Sequence, residues 1–341
     1  MAPAATDFRA LEATNRRETV ILVVVMMAIL VALGFALDVW AGSIAIVNGR
    51  LVGFPVLTIA ALAFGAFQAL TSFYAGASLV LMSVHARPLT PDSPAHQTVL
   101  DVINEMAIAS RLPVPTAYVM DDPSPNAFAT GRDPHHSVLC VTQGLIEQMD
   151  REELQGVIGH EMSHVADYDI RTMTMVAVMV GGIAMLSDFV FRIMFFTGGR
   201  GGRGGSRGDS GNGDNGGGAL IAVAVIVLAA IAPIISQLVA MAVSRQREYL
   251  ADASSVEFTR NPRALLRALE KIAQIESPLK EGTAGTAHLF IVNPREGLKD
   301  DEEGFFDNLL STHPPLSKRI ERLRAMAGAG AAEAGARNPR A

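Results

Sequence analysis

The sequence predicts an integral membrane protein of the α+β class, mostly α-helical with a small β-sheet. Three observations predict it. The 341 residues are 50% hydrophobic and only 18% charged, where a soluble domain carries about 25% charged residues. The apolar excess is gathered into four segments, each near the roughly 20 residues that a bilayer core demands. Between the second and third segments lies a polar stretch with helix-start signals and two short β-branched runs.

The first apolar segment runs from Thr19 to Leu37, uncharged, between Glu18 and Asp38. It is longer than the roughly 7–15 apolar residues of a secretory leader, so an uncleaved anchor is expected. Arg16 and Arg17 then place residues 1–18 in the cytoplasm. The second segment lies between Arg50 and His85, with Pro55 near its start and Tyr74 near its end. Residues 19–84 thus read as a transmembrane hairpin whose short external loop runs from Asp38 to Arg50.

In the polar stretch, Asp92-Ser93-Pro94 reads as a helix cap with proline in the first turn. Val99, Ile103, Met106 and Ala107 come after it at helical spacing. Thr116 to Met120 and Ser137 to Val141 are expected strands. Asp150, with Glu153 three residues on, forms a capping box that opens the next helix. The third apolar segment runs from Thr172 to about Phe196. Asp188 and Arg192 interrupt it, and the charge-free part to Ser187 is short for a crossing. The fourth runs from Ala219 to Ser244, with Pro233 inside as a kink site. Between them, residues 198–218 hold twelve of the 31 glycines and almost no apolar side chains. Such a segment cannot offset its ordering entropy and is expected to be a disordered linker. Residues 85–171 and 245–324 are then the two halves of one soluble domain, split by a second apolar hairpin over 172–244. The Ala/Gly-rich stretch 325–341 is expected to be a disordered tail.

Composition also excludes. The net charge of −6 gives no basic excess for a nucleic-acid partner. Cys140 is the sole cysteine, so an intrachain disulfide and Cys₂ or Cys₄ zinc sites are ruled out.

The chemistry sits in Gly159-His160-Glu161-Met162-Ser163-His164. This is H-E-x-x-H on an expected helix. Residues four apart share a helix face, so His160 and His164 can aim two imidazoles at one metal ion. Glu161 can then reach a metal-activated water as general base. Leu154, Val157, Ile158 and Val165 indicate a packed helix, and Gly156 and Gly159 permit close neighbours. A catalytic metal needs a third protein ligand. Asp169, Glu248, Asp252 and His313 are the candidates. A hairpin of the third and fourth apolar segments returns the chain at Arg247-Glu248-Tyr249-Leu250-Ala251-Asp252, beside His164. Glu248 and Asp252 share a face, so one can bind metal while the other orients an imidazole N–H. A salt bridge of Glu248 with Arg245 or Arg247 is the alternative.

These motifs, with Pro125-Asn126-Ala127-Phe128-Ala129-Thr130-Gly131, Thr286-Ala287-His288-Leu289-Phe290 and Ser311-Thr312-His313-Pro314-Pro315 with Arg319, resemble the HtpX group of membrane-bound zinc metalloproteases. That group is distantly similar to the CAAX prenyl endopeptidases. The resemblance covers roughly residues 16–324 and implies a gluzincin-like metalloprotease domain holding one Zn²⁺ per chain. It implies that Glu248 completes the ligand set with His160 and His164. Asp252 and Asp169 then stand behind the imidazoles. Glu161 serves as base, and His313, held by Pro314 and Pro315, as a donor to the oxyanion. Arg319 would position the His313 loop. Asn126, Ala127, Phe128 and Ala129 would form an edge strand that holds a peptide by strand addition. Where the group often has Asn and Arg, this chain has Asp167 and Tyr168.

The function expected is zinc-dependent endopeptidase cleavage of membrane proteins, misfolded ones in particular, in bacterial membrane quality control. Its partners are the lipid bilayer and protein or peptide substrates, with homo-oligomerisation left open. Alternatives are a processing protease for lipidated peptides, a non-enzymatic membrane chaperone or scaffold with structural zinc, and a transporter. The first two spans lack the internal ionisable residues a transporter needs. The charge rule puts the metal domain in the cytoplasm, facing in from the cell membrane, and Arg245 and Arg247 agree. Arg192, Arg200, Arg203 and Arg207 oppose it if the glycine linker lies outside. Asp300-Asp301-Glu302-Glu303 reads as a solvated loop.

Overall fold

A computed structural model describes residues 8–47, 50–198, 215–242, 245–274, 289–292 and 314–337. Four of its helices contain candidate membrane spans: Thr19–Ala41, Val56–Ser83, Asp169–Phe195 and Leu220–Val239. They belong to α1 (Phe8–Ala41), α2 (Val56–Ser83), α6 (Asp169–Gly198) and α7 (Asn215–Ala242). Leu22, Met26 and Leu30 of α1 pack with Val180 and Ile183 of α6 and Ala232 of α7. A Cβ on Gly34 would lie 2.7 Å from that of Ala61, so α1 and α2 touch almost backbone to backbone.

Polar groups tie these apolar helices together. The Thr19 and Thr172 hydroxyls share a 2.5 Å hydrogen bond between α1 and α6. Gln68 of α2 donates from Nε2 to the Val178 carbonyl of α6 at 2.9 Å, in space left by Gly182. At the opposite end, Asp38 of α1 accepts the Leu57 and Thr58 amides at 3.0 and 2.7 Å. It therefore caps α2, whose own N-cap position is Pro55. Free amides at a helix N-terminus attract a carboxylate, which explains a buried aspartate at the end of an apolar span.

The third apolar segment is an unbroken helix despite its charges. Arg192 Nε donates to Asp188 at 2.7 Å, one turn apart on the exposed face, while Ile183, Val190 and Met194 on the same helix stay buried. The pair neutralises itself locally. Residues 215–218 of the expected linker lie in α7, and 199–214 fall outside the described residues. The expected disordered tail is corrected more fully, because α10 (Leu316–Arg337) continues well past residue 324. Leu323 anchors it in the soluble core, and alanine, the strongest helix former, dominates its later turns. The loop between the first two spans also holds more structure than expected. β1 (Ile44–Val47) pairs antiparallel with β2 (Arg50–Gly53), Val47 opposite Arg50. The Asn48-Gly49 step between them in sequence is the strongest short hairpin signal and was its available sign.

The soluble part is built around a four-stranded sheet in the order β3-β4-β6-β5. Its strands are β3 (Arg87–Pro88), β4 (Thr116–Met120), β5 (Ala127–Gly131) and β6 (Ser137–Thr142). β4 and β6 run parallel and β5 antiparallel to β6, so β5 is an edge. α3 (Pro94–Ser110) begins at the Ser93 cap with proline in its first turn, as its sequence signals. α4 (Gln143–Gln148), α5 (Arg151–Ala166), α8 (Arg245–Thr259) and α9 (Pro262–Ile272) complete the layer. Val99 and Ile103, Leu139, Leu154 and Val157, and Leu265 and Leu269 form its core.

Candidate active site

α5 carries the H-E-x-x-H run. Asp150 accepts the Glu153 amide at 2.9 Å and Glu153 the Asp150 amide at 2.8 Å, which is the capping box in full. A Cβ on Gly156 would meet the Leu265 amide at 2.4 Å, so glycine lets α9 lie directly on α5. Ser255 of α8 donates to the Gly156 carbonyl at 2.7 Å. Those two contacts fix α8 and α9 against α5 and leave His160, Glu161 and His164 buried.

Across from them, α8 brings Glu248 and Asp252. His160 Nε2 and His164 Nε2 lie 3.3 Å apart. Glu248 Oε2 lies 3.5 Å from the first and its Oε1 3.6 Å from the second. Among the described residues, this trio is the group that could hold a metal ion. A tetrahedral centre with bonds of about 2.0–2.1 Å separates its donor atoms by about 3.3–3.4 Å, the bond length times about 1.63. The two imidazole nitrogens match that edge, and each Glu248 oxygen lies close to it from one of them. The outer nitrogens face carboxylates: His160 Nδ1 is 3.0 Å from Asp252 and His164 Nδ1 is 3.3 Å from Asp169. With Nδ1–H donating outward, both Nε2 atoms present lone pairs to each other and to Glu248. Only a cation makes such a convergence favourable, so these residues fit a metal ion.

The electrostatics agree. Burial opposes a charge on His164, but the Asp169 hydrogen bond and the Glu248 charge outweigh it and raise its pKa to about 9. The pocket thus seeks positive charge. Burial also opposes ionisation of Asp252, yet the Arg319 guanidinium and the His160 ring hold its pKa down to about 2. Glu161 lies above the ordinary carboxylate range because it is buried, with His160 and His164 pulling the other way. The Ala129 amide donates to its carboxylate. Asp167, at the position where the resembling group often has Asn, is raised to about 6 by burial and by Asp169.

Arg319 is expected to serve a loop. It is also expected behind the metal ligands with Asp252 and Asp169, and its described contacts run into the site. It donates to Asp252 through Nε at 2.9 Å and Nη2 at 2.7 Å. Its Nη1 is 3.4 Å from Glu248 and donates to the Ile291 carbonyl at 2.8 Å. Arg247 pairs with Asp169 at 3.0 Å rather than with Glu248. Opposite charges at the two mouths of the α6–α7 pair were the sequence sign of that contact. Asn126, Ala127 and Phe128 also meet their own chain. Asn126 Nδ2 donates to the Val292 carbonyl at 2.9 Å, and the Ile291 amide to the Ala127 carbonyl at 3.0 Å. The Phe128 and Phe290 rings meet edge to face at 5.1 Å. Residues 289–292 as a strap on β5 carry no signal in composition or periodicity. His313 and residues 300–303 lie outside the described residues.

An imidazole pair and a carboxylate closing on one point, framed by apolar spans, define a membrane-bound metallopeptidase. The profile of Peptidase family M48 matches residues 94–327, and the chain belongs to that family. Relatives extend over nearly its whole length. A Protease HtpX homolog of Caldanaerobacter subterraneus subsp. tengcongensis is 39% identical, covering 93% of this chain and 97% of its own. Proteins of the same name from Listeria monocytogenes serovar 1/2a and Lactobacillus helveticus are 41% and 38% identical, each covering 92% of this chain and 98% of its own. The resemblance read from the motifs is borne out. A crystal structure of S. mikatae Ste24p overlaps with a TM-score of 0.46 at 16% identity, over 92% of this chain and 66% of that one.

Proposed function

We propose that the metal is zinc, one ion per chain, held by His160, His164 and Glu248, and that the enzyme is an endopeptidase acting on membrane proteins. The observation that carries this is the convergence of two Nε2 atoms, 3.3 Å apart, on the Glu248 carboxylate, whose Oε2 and Oε1 lie 3.5 and 3.6 Å from them, backed by outward-donating Nδ1 atoms. Bound there, zinc supplies Lewis acidity to a water and to the scissile carbonyl. The chain's residues do the rest. Asp252 and Asp169 hold the imidazoles in the tautomer that presents Nε2. Glu161 accepts a proton from the attacking water at a carboxylate oxygen and returns it to the leaving amine, its carboxylate steadied by Ala129 N–H. His313 donates to the developing oxyanion.

An extended peptide lies along β5. There the Asn126 amide and the Ala127 carbonyl exchange Val292 and Ile291 for the substrate backbone. The names of the relatives support proteolysis. Arg16 and Arg17 before the Thr19–Ala41 span, and Arg245 and Arg247 after α7, support a cytoplasmic metal domain, which suits removal of misfolded membrane proteins.

The test compares wild type with Glu161→Gln for zinc content and for cleavage of an unfolded membrane protein in detergent. Wild type is expected to hold one zinc and cleave. The variant keeps the zinc and loses about 10²–10⁴-fold in rate, the usual worth of a positioned general base. Persistent cleavage by the variant, or zinc-free wild type that cleaves, would overturn the proposal.

A further inference from the structure

The β1–β2 hairpin carries an apolar surface that no span and no part of the metal site uses. Val47, Leu51, Val52 and Phe54 are 50, 64, 55 and 66% exposed. Arg50 is the charged residue among them in 44–54. The hairpin is also rigidly mounted. The Ser43 amide donates to the Asp38 carbonyl at 3.0 Å and the Phe54 amide to the Ser43 carbonyl at 3.1 Å. The Asp38 side chain clamps the start of α2. Gly53 sits at φ +122°, and a Cβ there would strike the Ser43 carbonyl at 2.0 Å.

Its depth is set by the helices. At the metal-site end, Thr19 meets Thr172, and Gly76 lies against Thr174, so these residues mark one level. From Gly76 back to Val56 is 20 helical steps, or about 30 Å, the thickness of a hydrocarbon core. From Thr19, the same rise ends near Val39. The hairpin starts at Ile44, so it sits at the far boundary of the bilayer. Its exposed side chains continue the apolar belt of the spans, where Phe35 and Val56 are also exposed. Trp40 lies at the same level, in the position favoured by interfacial aromatic residues.

We propose that the β1–β2 hairpin lies in the lipid interface of the leaflet opposite the metal site. Val47, Leu51, Val52 and Phe54 sink to the headgroup–acyl boundary, and Arg50 reaches back to the phosphates. It is a fixed lipid-binding foot that sets the height of α1 and α2 in the membrane.

The sole cysteine makes the test clean, because Cys140 is fully buried. Full-length Leu51→Cys, labelled with a polarity-sensitive fluorophore, is reconstituted in phosphatidylcholine–phosphatidylglycerol vesicles. Asp101→Cys on the exposed face of α3 serves as the aqueous reference. Lipids brominated near the headgroup should remove most of the Leu51→Cys emission, chain-end brominated lipids less, and iodide in the buffer none. The reference should respond to iodide alone. Quenching of Leu51→Cys by iodide and not by lipid would place the hairpin in water and overturn the proposal. Protection from every quencher would also overturn it, since the hairpin would then be covered by protein. Both sites are surface positions, so neither substitution disturbs the fold.

Discussion

Asp252→Asn is the sharpest perturbation of the site, because it keeps shape and removes one charge. Asp252 accepts both Arg319 nitrogens, at 2.9 and 2.7 Å, and faces His160 Nδ1 at 3.0 Å. Arg319 is 1% exposed, so solvent cannot take over its charge. Removing one partner of a buried ion pair costs about 3–5 kcal/mol. Glu248 remains within 3.4 Å of the guanidinium, which puts the expected loss at the lower end, about 3 kcal/mol. The same change weakens the orientation of His160 and draws Glu248 toward Arg319. Loss of such an outer partner lowers metal affinity roughly 10–100-fold. Urea unfolding of metal-free protein in detergent reads the first effect, and zinc competition against a chelating dye reads the second. Replacing both residues, Asp252→Leu with Arg319→Met, should destabilise less than either change alone, because no unpaired charge is left. A zinc affinity within twofold of wild type in Asp252→Asn, with an unchanged urea midpoint, would refute this account.

Metal removal should lower the melting temperature in detergent. Zinc restored at about 100 times its Kd should return about 2.7 kcal/mol of stability, and a melt indifferent to chelator would count against a metal held in the native state alone. Gly182→Ala should push Gln68 off the Val178 carbonyl, since the new Cβ would lie 1.5 Å from Gln68 Nε2. The expected cost is about 0.6 kcal/mol, the mean for such bonds between membrane helices, and at most about 1.7 kcal/mol, read as an earlier unfolding midpoint in detergent. Cys140 is buried and its thiol pKa is pushed up by that burial. The thiolate thus stays scarce as pH rises from about 7 to about 9. Iodoacetamide should therefore leave the native protein unlabelled across that range and label it fully in denaturant; rapid native labelling would contradict the core position.

Much of the fold and of the metal site was legible because local signals and tertiary demands agree. The Ser93-Pro94 start of α3, the Asp150–Glu153 box and the β-branched run Thr116 to Met120 each fall where their chemistry puts them. The spacing of His160 and His164 fixes a shared face before any packing is known. The limits of sequence reading have physical causes. Glu248 and Asp252 could not be told apart by spacing, because their roles depend on which one meets Nε2 and which meets Nδ1. Asp188 and Arg192 looked like a break in a span because their mutual neutralisation needs the helix to exist first. The end of α10 interleaves glycine, a weak helix former, with alanine, the strongest, so composition alone does not mark it as a helix. Asp38 marked the end of a span in the sequence, and its service as a cap appears only when α2 folds back against α1.

The chain order of the metal donors has a consequence for biogenesis. His160 and His164 precede α6 and α7, and Glu248 comes after them. A ribosome therefore makes both imidazoles well before the carboxylate, and the two can meet only after that helical pair has folded back on itself. A nascent chain that has not reached Glu248 carries an incomplete donor set. In this chain the order of synthesis leaves the trio incomplete until residue 248 has been made, so its assembly is coupled to the return of the chain along α7.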